Sequence, residues 1–260
     1  MTKKAVFFDI DGTLVPYRSP IPDSTVEAIR LLRENGHLAV VSTGRTLPLI
    51  MKEVFDLGFD GIVAGCGAYV EYDGDVVYSE IADKERTEAL AQALIEDNLI
   101  PFYESWQGIY YFPDIMTEEV MGAAQYYKTI LGDKFMPVRD DMELNKIYTP
   151  LNGREFDLSG YKSFEDYFDI HVHGNVAIEA VPKIYNKATG MEKFLQAAGI
   201  DRADTFAIGD SLNDAEMLVY ANTGIVMGGA FDEAKKYADY ITTNIEDDGI
   251  YNALKHFGLI

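Results

Sequence analysis

Short apolar runs that alternate with helical segments restrict the fold of this chain more than any other feature. Near the start stand "KAVFFD", "HLAVVST" and "DGIVAG", and near the end stand "DTFAIGD" and "TGIVMG". Segments with helical periodicity lie between them, among them "PDSTVEAIRLLRENG", "LPLIMKEVFDLG" and "KATGMEKFLQAAGI". Continuous apolar strands separated by helices are typical of a parallel sheet covered on both faces. We therefore predict an α/β fold with a mainly parallel sheet and helices on both faces.

The middle of the chain has a different pattern. Residues 82–185 are richer in tyrosine and contain two hairpin-like pairs of strands, "FYESWQGIYYF" and "FDIHVHGNVAIEAV". The pairs surround Gln107-Gly108 and Gly174-Asn175, and a glycine with a polar neighbour is typical of a tight turn. Helical stretches ("KERTEALAQALIEDN" and "TEEVMGAAQYYKTIL") accompany them. We predict that residues 82–185 form an inserted α+β domain, and that residues 1–81 and 186–260 together form the core.

The acidic composition limits the possible partners. The chain has 260 residues and a formal net charge of −21, which disfavours binding to nucleic acid or to anionic membranes. Its single cysteine excludes an internal disulfide and suits a reducing compartment. We find neither the apolar stretch of a secretory signal in "MTKKAVFFDIDG" nor a window of roughly 20 apolar residues that could span a bilayer. We expect a cytoplasmic protein.

Polar side chains follow three of the apolar runs, in "DIDGT" (9–13), "STGR" (42–45) and "GDSLND" (209–214). Ligands of open parallel sheets bind beyond the carboxyl ends of the strands, so these three ends would meet if the strands are neighbours. Four carboxylates would then gather, and they cannot all stay ionised without a compensating cation. An all-oxygen set suits Mg²⁺. The candidate ligands are Asp9, Asp11, Asp210 and Asp214.

The same strand ends offer groups for phosphoryl chemistry. Asp9 and Asp11 would point to one side of an extended strand, roughly 6.6 Å apart, so that one could attack while the other handles a proton. Thr43-Gly44 offers a hydroxyl and a backbone N–H, and Lys187 a positive charge. Asn213 opens a helix, and helix N-termini favour anions. Each motif alone is typical of an ordinary turn or cap; their combination in order indicates a phosphoryl site.

The motifs resemble those of the haloacid dehalogenase superfamily of phosphatases, and specifically its Cof-type (subfamily IIB) sugar-phosphatase branch. The resemblance covers essentially the whole chain, because the insertion between the second and third motifs has the position and size of that branch's cap domain. It implies a Rossmann-like core and an α/β cap over the active site. The motifs that carry it are "DIDGT", "STGR", Lys187 and "GDSLND".

The resemblance also implies roles for individual residues. Asp9 would be the nucleophile that forms an aspartyl-phosphate, and Asp11 would protonate the leaving alcohol and then deprotonate the attacking water. Mg²⁺ would be held by Asp9, the main-chain carbonyl of Asp11 and Asp210, with Asp214 as a further ligand or nearby. The phosphoryl oxygens would be held by Thr43, Gly44, Lys187 and Asn213. Arg45 would face the substrate entrance or be a surface arginine.

Two positions depart from the family pattern. Cys66 stands where the family often has asparagine, and Ala188 stands where a glycine usually follows the motif lysine. The first departure affects a substrate-side or structural contact, and the second affects backbone packing beside Lys187.

Three functions fit the motifs. A Mg²⁺-dependent phosphatase would hydrolyse small phosphorylated metabolites, sugar phosphates in particular. A phosphomutase would use the same aspartates but exclude water, and a non-catalytic regulator would keep only the phosphate pocket. Because the acidic and basic residues of the site are all present, we expect the phosphatase. We also expect a monomer or weak homo-oligomer.

Overall fold

The computed structural model describes residues 2–17 and 19–260, which contain fourteen strands and eight α-helices. The strands are β1 (Ala5–Phe8), β2 (Leu38–Ser42), β3 (Gly61–Ala64), β4 (Tyr69–Tyr72), β5 (Asp75–Ser79), β6 (Phe102–Glu104), β7 (Ile109–Tyr111), β8 (Phe135–Pro137), β9 (Lys146–Pro150), β10 (Phe168–His173), β11 (Ala177–Pro182), β12 (Thr205–Gly209), β13 (Thr223–Val226) and β14 (Tyr240–Ile241). The helices are α1 (Asp23–Glu34), α2 (Lys52–Phe55), α3 (Lys84–Glu96), α4 (Glu118–Leu131), α5 (Lys187–Ala198), α6 (Ala215–Tyr220), α7 (Asp232–Lys235) and α8 (Gly249–His256).

The chain divides into two compact units. Unit 1 consists of the described residues of Met1–Gly44 with Ile50–Ser79 and Asn186–Ile260, and unit 2 of Arg45–Leu49 and Glu80–Tyr185. Residues 45–49 belong to unit 2, although they were predicted to lie in the core. Thr46 Oγ1 donates a hydrogen bond to Glu104, and Leu49 packs against the apolar cluster around Phe102. The assignment of unit 2 as a specificity cap stays a prediction.

Unit 1 is built on an eight-stranded sheet in the order β14-β13-β12-β1-β2-β3-β4-β5. The strands from β14 to β3 are parallel, and β1 lies between β12 and β2, with Phe8 opposite both Ile208 and Val41. Every residue of β1, β2 and β12 is buried, as expected for strands covered on both faces. Helix α5 packs on this sheet, where the rings of Phe194 and Phe7 meet edge to face at 5.4 Å. The predicted α/β fold is confirmed.

Two segments of unit 1 differ from the prediction. Residues 47–58, predicted as one helix, form a 3₁₀ turn at Leu47–Leu49 and the short helix α2, because Met51 between them is extended (φ −70°, ψ 148°). The edge hairpin of β4 and β5 was not predicted. Its turn residues Asp73 and Gly74 have φ of 52° and 84°, and positive φ at both central residues is what a type I′ hairpin turn requires.

Unit 2 contains a six-stranded sheet in the order β10-β11-β9-β6-β7-β8. Both predicted hairpins are present, as the antiparallel pairs β6–β7 and β10–β11. Neighbouring residues of a strand face opposite sides, so β6 contributes Tyr103 to one apolar cluster and Phe102 to another. The first cluster includes Leu90 and Leu94 of α3, and the second includes Tyr127 of α4.

Among residues 2–17 and 19–260, none of the helices combines the length and the apolar character needed to cross a bilayer.

Candidate phosphoryl-transfer site

Three adjacent parallel strands end at the same edge of the unit 1 sheet. Asp9 directly follows β1, Thr43 follows β2, and Asp210 follows β12. The Asp9 amide donates to Ile208 O at 3.0 Å and the Thr43 amide to Val63 O at 2.9 Å, so each residue continues its strand by one hydrogen bond. The three strand-end motifs of the sequence analysis therefore meet in one place.

A buried ion cluster joins Asp9, Lys187 and Asp214. Lys187 Nζ donates to Asp9 Oδ1 at 2.7 Å and to Asp214 Oδ1 at 2.5 Å. All three residues are buried, with Lys187 only 1% exposed. Two of the three ammonium protons are thereby directed at carboxylates, and the third is left for another acceptor.

Burial and like charges shift the acidity of this cluster. Burial, together with the charges of Asp214 and Asp210, raises the pKa of Asp9 to about 8, although Lys187 opposes the shift. Burial and the charge of Asp214 raise the pKa of Asp210 to about 7. Burial disfavours the ammonium of Lys187, but the carboxylates of Asp214 and Asp9 outweigh it and raise its pKa above the ordinary value. Asp9 and Asp210 thus lack enough positive charge around them to ionise at their usual pH.

Asp214 organises the loop that carries Asp210. Its Oδ2 accepts hydrogen bonds from the amides of Asp210 at 3.0 Å and Ser211 at 3.1 Å, while its Oδ1 accepts from Lys187. A Cβ at Gly209 would lie 2.6 Å from this carboxylate, so glycine allows the close approach. Both oxygens of Asp214 are engaged, which favours a role in positioning Lys187 and the Asp210 loop over direct metal ligation.

The residues present fit a divalent cation. One carboxylate oxygen from each of Asp9, Asp210 and Asp214 lies within 4.8 Å of the other two. Asp210 Oδ1 is buried and has no hydrogen-bond partner in residues 2–17 and 19–260, which is costly for a carboxylate unless a cation satisfies it. Hard oxygen donors are what Mg²⁺ prefers. The side chain of Asp11, also predicted as a ligand, does not belong to this group of three.

Glycine at position 12 lets the first motif pack against the last. Gly12 has φ +83°, and a Cβ there would lie 2.3 Å from Asp210 Oδ2. Its amide donates to Val15 O at 2.9 Å, which closes the loop after β1. The glycine of "DIDGT" therefore permits the carboxylate of Asp210 to reach the loop that carries Asp9 and Asp11.

The predicted phosphate-binding residues surround the same strand ends. Asn213 Nδ2 lies 3.9 Å from the position that a Cβ would occupy on Gly44, so the second and fourth motifs are adjacent. Asn213 Oδ1 accepts from Ser211 Oγ at 2.6 Å, which orients the amide and leaves Nδ2 as a donor. Thr43 is buried beside them at the end of β2.

The start of α5 is held in place by its cap and by a close backbone contact. The side chain of Asn186 accepts from the Thr189 amide and Thr189 Oγ1 accepts from the Asn186 amide, both at 2.9 Å. A Cβ on Gly67 would lie 2.0 Å from Asn186 O, and one on Gly190 would lie 2.8 Å from the Gly67 Cα. The tight packing beside Lys187 therefore uses Gly67 and Gly190, and Ala188 is a half-buried residue of the first helical turn.

Cys66, the other departure from the family pattern, contacts the second motif. It has φ +57°, in the left-handed region where asparagine is enriched, and it lies in a 3₁₀ turn at Gly65–Gly67. Its Sγ lies 3.9 Å from Gly44 O, and its amide donates to Thr43 O at 3.1 Å. The contact is with the backbone of the phosphate-binding segment.

Two further residues are informative. Arg45, predicted at the substrate entrance, is half-buried in unit 2, and its guanidinium donates to Leu49 O at 3.0 Å, so its local loop holds it. Tyr17, which the motifs do not include, has a phenol subject to the charges of four site aspartates. The only sequence signal for it is its position four residues after Thr13.

Comparisons with known proteins agree with this site. A model of the haloacid dehalogenase-like hydrolase family matches residues 6–254. The Bacillus subtilis (strain 168) protein YkrA, which is named as a phosphatase, is 29% identical, with 100% of both chains covered. The 5-amino-6-(5-phospho-D-ribitylamino)uracil phosphatase YcsE, also from B. subtilis (strain 168), is 28% identical, and the match covers 98% of this chain and 96% of YcsE.

The solved structures agree as well. The structure of the HAD subclass IIB sugar phosphatase BT4131 superposes with a TM-score of 0.82 at 26% identity, over 99% of this chain and 100% of that one. The motifs, the buried Asp9–Lys187–Asp214 cluster and the match over residues 6–254 lead to one conclusion. The chain belongs to the haloacid dehalogenase-like hydrolase family and is an enzyme of its phosphatase group, a phosphoric monoester hydrolase.

Proposed function

We propose that this enzyme is a Mg²⁺-dependent phosphatase that hydrolyses small phosphomonoesters, sugar phosphates in particular, through an aspartyl-phosphate on Asp9. The observation that carries the proposal is the pairing of Asp9 with the buried ammonium of Lys187, beside an unpartnered oxygen of Asp210. A carboxylate held by a fixed cation, with a metal-binding group beside it, is an arrangement that can attack a phosphoryl group and stabilise the resulting charge.

Each residue of the site has a task in this reaction. Asp9 Oδ1 is bound by Lys187, and Oδ2 accepts no hydrogen bond from the described part of the chain, so Oδ2 is the oxygen that attacks phosphorus. Lys187, through its remaining N–H, and Asn213, through Nδ2, donate hydrogen bonds to phosphoryl oxygens. Thr43 and Gly44 hold the same oxygens. Asp11 gives a proton to the leaving oxygen and then takes one from the attacking water.

Asp9, Asp210 and the main-chain carbonyl of Asp11 would hold Mg²⁺, and Asp214 would orient Lys187 and the Asp210 loop. When bound, the ion supplies positive charge to the carboxylates and to the phosphoryl oxygens. It would also satisfy Asp210 Oδ1, which has no partner among residues 2–17 and 19–260.

The substrate class is supported by the named activities of similar proteins. BT4131 is a sugar phosphatase, and the substrate named for YcsE carries a phosphorylated ribityl chain. Both names describe a phosphate on a hydroxyl-bearing carbon chain. We extend this class to the present enzyme, with a small phosphorylated metabolite as its partner.

Hydrolysis of an aryl phosphate tests the proposal. We expect turnover with MgCl₂ and its loss with excess EDTA, followed by recovery when Mg²⁺ is restored. Orthophosphate release from a panel of phosphorylated sugars, ranked by kcat/KM, then identifies the preferred class. Turnover that persists in EDTA would contradict the proposed function. The absence of turnover with every phosphomonoester tested would contradict it as well.

Magnesium is also expected to stabilise the fold in a pH-dependent way. Because the pKa values of Asp9 and Asp210 are raised to about 8 and about 7, the metal-free folded protein holds protons that the unfolded chain releases above about pH 4. The stability of the metal-free protein should therefore fall as pH rises from about 4 to about 8. Mg²⁺ must displace these protons, so its stabilising effect should be larger at about pH 8 than at about pH 6.

Urea unfolding with and without MgCl₂ measures this effect. The same free Mg²⁺ concentration is used at both pH values. If it is about a hundred times the dissociation constant at pH 8, the gain should be about 3 kcal/mol at about pH 8 and smaller at about pH 6. Asp210→Asn, which keeps the side-chain shape but removes the charge, is the control and should lose most of the gain. An equal gain at both pH values, or the same gain in the variant, would show that the ion binds elsewhere.

A further inference from the structure

A cavity of about 240 Å³ lies against one face of the unit 1 sheet. Its floor contains a row of facing residues on three adjacent strands, in which Val41 of β2 pairs with Ile62 of β3, and Ile62 pairs with Glu71 of β4. Residues that stand opposite each other in a sheet share a face, so these three side chains lie side by side. Val63, the next residue of β3, belongs to the apolar cluster that includes Phe194 of α5, so the cavity lies on the face away from that cluster.

The segment between β2 and β3 supplies the other wall of the cavity. Ile50, Val54 and Phe59 line it with apolar surface. Only the four residues of α2 are helical in this segment, because Met51 before them is extended, and so short a helix leaves space above the sheet. The cavity volume is just below the roughly 300–1,000 Å³ of pockets that hold drug-sized ligands, so it suits a smaller molecule.

One ion pair at the edge of the cavity is balanced within the protein. Arg33 Nη2 donates to Asp60 Oδ1 at 3.0 Å, and Arg33 Nε lies 3.2 Å from each oxygen of that carboxylate. Asp60 Oδ2 also accepts from the Ala39 amide at 2.9 Å. The charges of Arg33 and Asp60 therefore compensate each other, and this pair gives the cavity no net charge.

Two other carboxylates of the cavity have no basic partner within residues 2–17 and 19–260. Glu71 Oε2 accepts from the hydroxyl of the buried Tyr69 at 3.1 Å, whereas nothing in that part of the chain donates to Oε1. Asp73 lies in the turn after β4 and lines the same cavity. The cavity thus combines apolar walls with two negative charges that the described side chains leave uncompensated.

We propose that this cavity is a binding site for a small organic cation that carries a primary ammonium on an apolar body. The ammonium donates hydrogen bonds to Glu71 Oε1 and to the carboxylate of Asp73, and the body packs on Val41, Ile62 and Val54. The chain's net charge of −21 attracts cations and disfavours an anion here. None of these residues takes part in the proposed phosphoryl transfer, so the site does not depend on the function proposed above.

An NMR titration of the isotope-labelled, full-length enzyme with 2-phenylethylammonium tests the proposal. Saturating MgCl₂ keeps the ammonium from competing for the phosphoryl-transfer site, and about 0.15 M NaCl screens diffuse attraction. Three further compounds each change one feature: ethylammonium lacks the apolar body, 2-phenylethanol lacks the charge, and 3-phenylpropionate reverses it. We expect 2-phenylethylammonium to shift the amide signals of Ile62, Glu71 and Gly74 with a dissociation constant of about 1 mM or lower. The other three should bind at least about tenfold more weakly.

Variants of the two carboxylates test where the cation binds. Glu71→Gln keeps an oxygen for the Tyr69 hydroxyl but removes the charge, and it should weaken binding at least about tenfold. Asp73→Asn should also weaken binding, and asparagine tolerates the φ of 52° at this position, so the turn should persist. Asp75→Asn lies in the same hairpin but outside the cavity, so it is the matched control and should bind like the wild type. Urea midpoints without ligand check that each variant is folded.

Several results would overturn the proposal. A wild type that does not bind 2-phenylethylammonium at about 10 mM has no such site. Equal binding of any of the three comparison compounds would show that the ligand class is wrong. Unchanged binding in Glu71→Gln would place the cation elsewhere, and an equal loss in Asp75→Asn would reduce the binding to diffuse attraction by an acidic surface.

Discussion

Asp9→Asn is expected to lower the kcat for an aryl phosphate by at least about a thousandfold, because the amide cannot attack phosphorus. The variant should still fold. Asparagine has nearly the shape of aspartate, and its Oδ1 can accept the hydrogen bond that Lys187 Nζ now donates at 2.7 Å. Removing one carboxylate from a cluster in which burial and like charges raise the pKa of Asp9 also relieves repulsion. The assay is aryl alcohol release under saturating Mg²⁺, with circular dichroism and the urea midpoint as checks of folding.

Asp11→Asn is the matched comparison, since it removes a carboxylate two residues away. Loss of a positioned acid and base should lower turnover by about a hundredfold to ten-thousandfold. An aryl leaving group needs little help from a proton, so formation of the phosphorylated enzyme should continue while its hydrolysis slows. Rapid mixing should then reveal a burst of aryl alcohol nearly equal to the enzyme concentration in Asp11→Asn and none in Asp9→Asn. Near wild-type turnover in Asp9→Asn would show that another group attacks phosphorus.

Lys187→Met is expected to destabilise the fold by about 3–5 kcal/mol and to abolish turnover. Lys187 is 1% exposed, and its ammonium is directed at both Asp9 and Asp214. Methionine fills similar space, so the loss reports the missing charge more than a cavity. The cost should be greatest at about pH 8, where the carboxylates would have to ionise without a partner, and smaller at about pH 5.

A double-mutant cycle, measured by urea unfolding, distinguishes the effect of lost charge from that of lost packing on the stability of Lys187→Met. Asp214→Asn combined with Lys187→Met removes one of the stranded carboxylates and should restore part of the lost stability. Neither variant should recover activity, because the phosphoryl group would lack the ammonium. A cost that does not depend on pH, or a double variant no more stable than Lys187→Met alone, would mean that packing and not charge explains the loss.

The fold was predictable where burial dominates the pattern. Strands β1, β2 and β12 are buried along their whole length, so their residues had to be continuously apolar and the parallel sheet could be predicted. The structure of residues 47–58 could not be predicted, because Met51 is extended although the apolar pattern of this segment is helical. The β4–β5 hairpin does have a sequence signal, the Asp73-Gly74 turn. Strand β5 at the sheet edge is largely exposed, so it lacks the apolar run that revealed the others.

The sequence was enough to predict which residues form the site and that they meet. It was not enough to predict which hydrogen-bond partners each residue has. Asp9 and Asp210 each directly follow an apolar strand, and Lys187 begins a helix, so all three could be assigned to the site from the sequence. Both oxygens of Asp214 accept hydrogen bonds, one from Lys187 and the other from the Asp210 amide. The spacing of the motif residues does not specify these contacts. The guanidinium of Arg45 bends back to its own loop for a similar local reason.

The place of β1 in the middle of the unit 1 sheet has a consequence for how the protein is made. Ala5 pairs with Leu38 on one side, which the ribosome delivers soon afterwards, and with Thr205 on the other, which it delivers only after all of residues 80–185. Until then one edge of an entirely apolar strand has no neighbour, a state prone to aggregation. We therefore expect nascent chains that stop before residue 205 to depend on chaperones, while the nearly contiguous unit 2 begins to fold during synthesis.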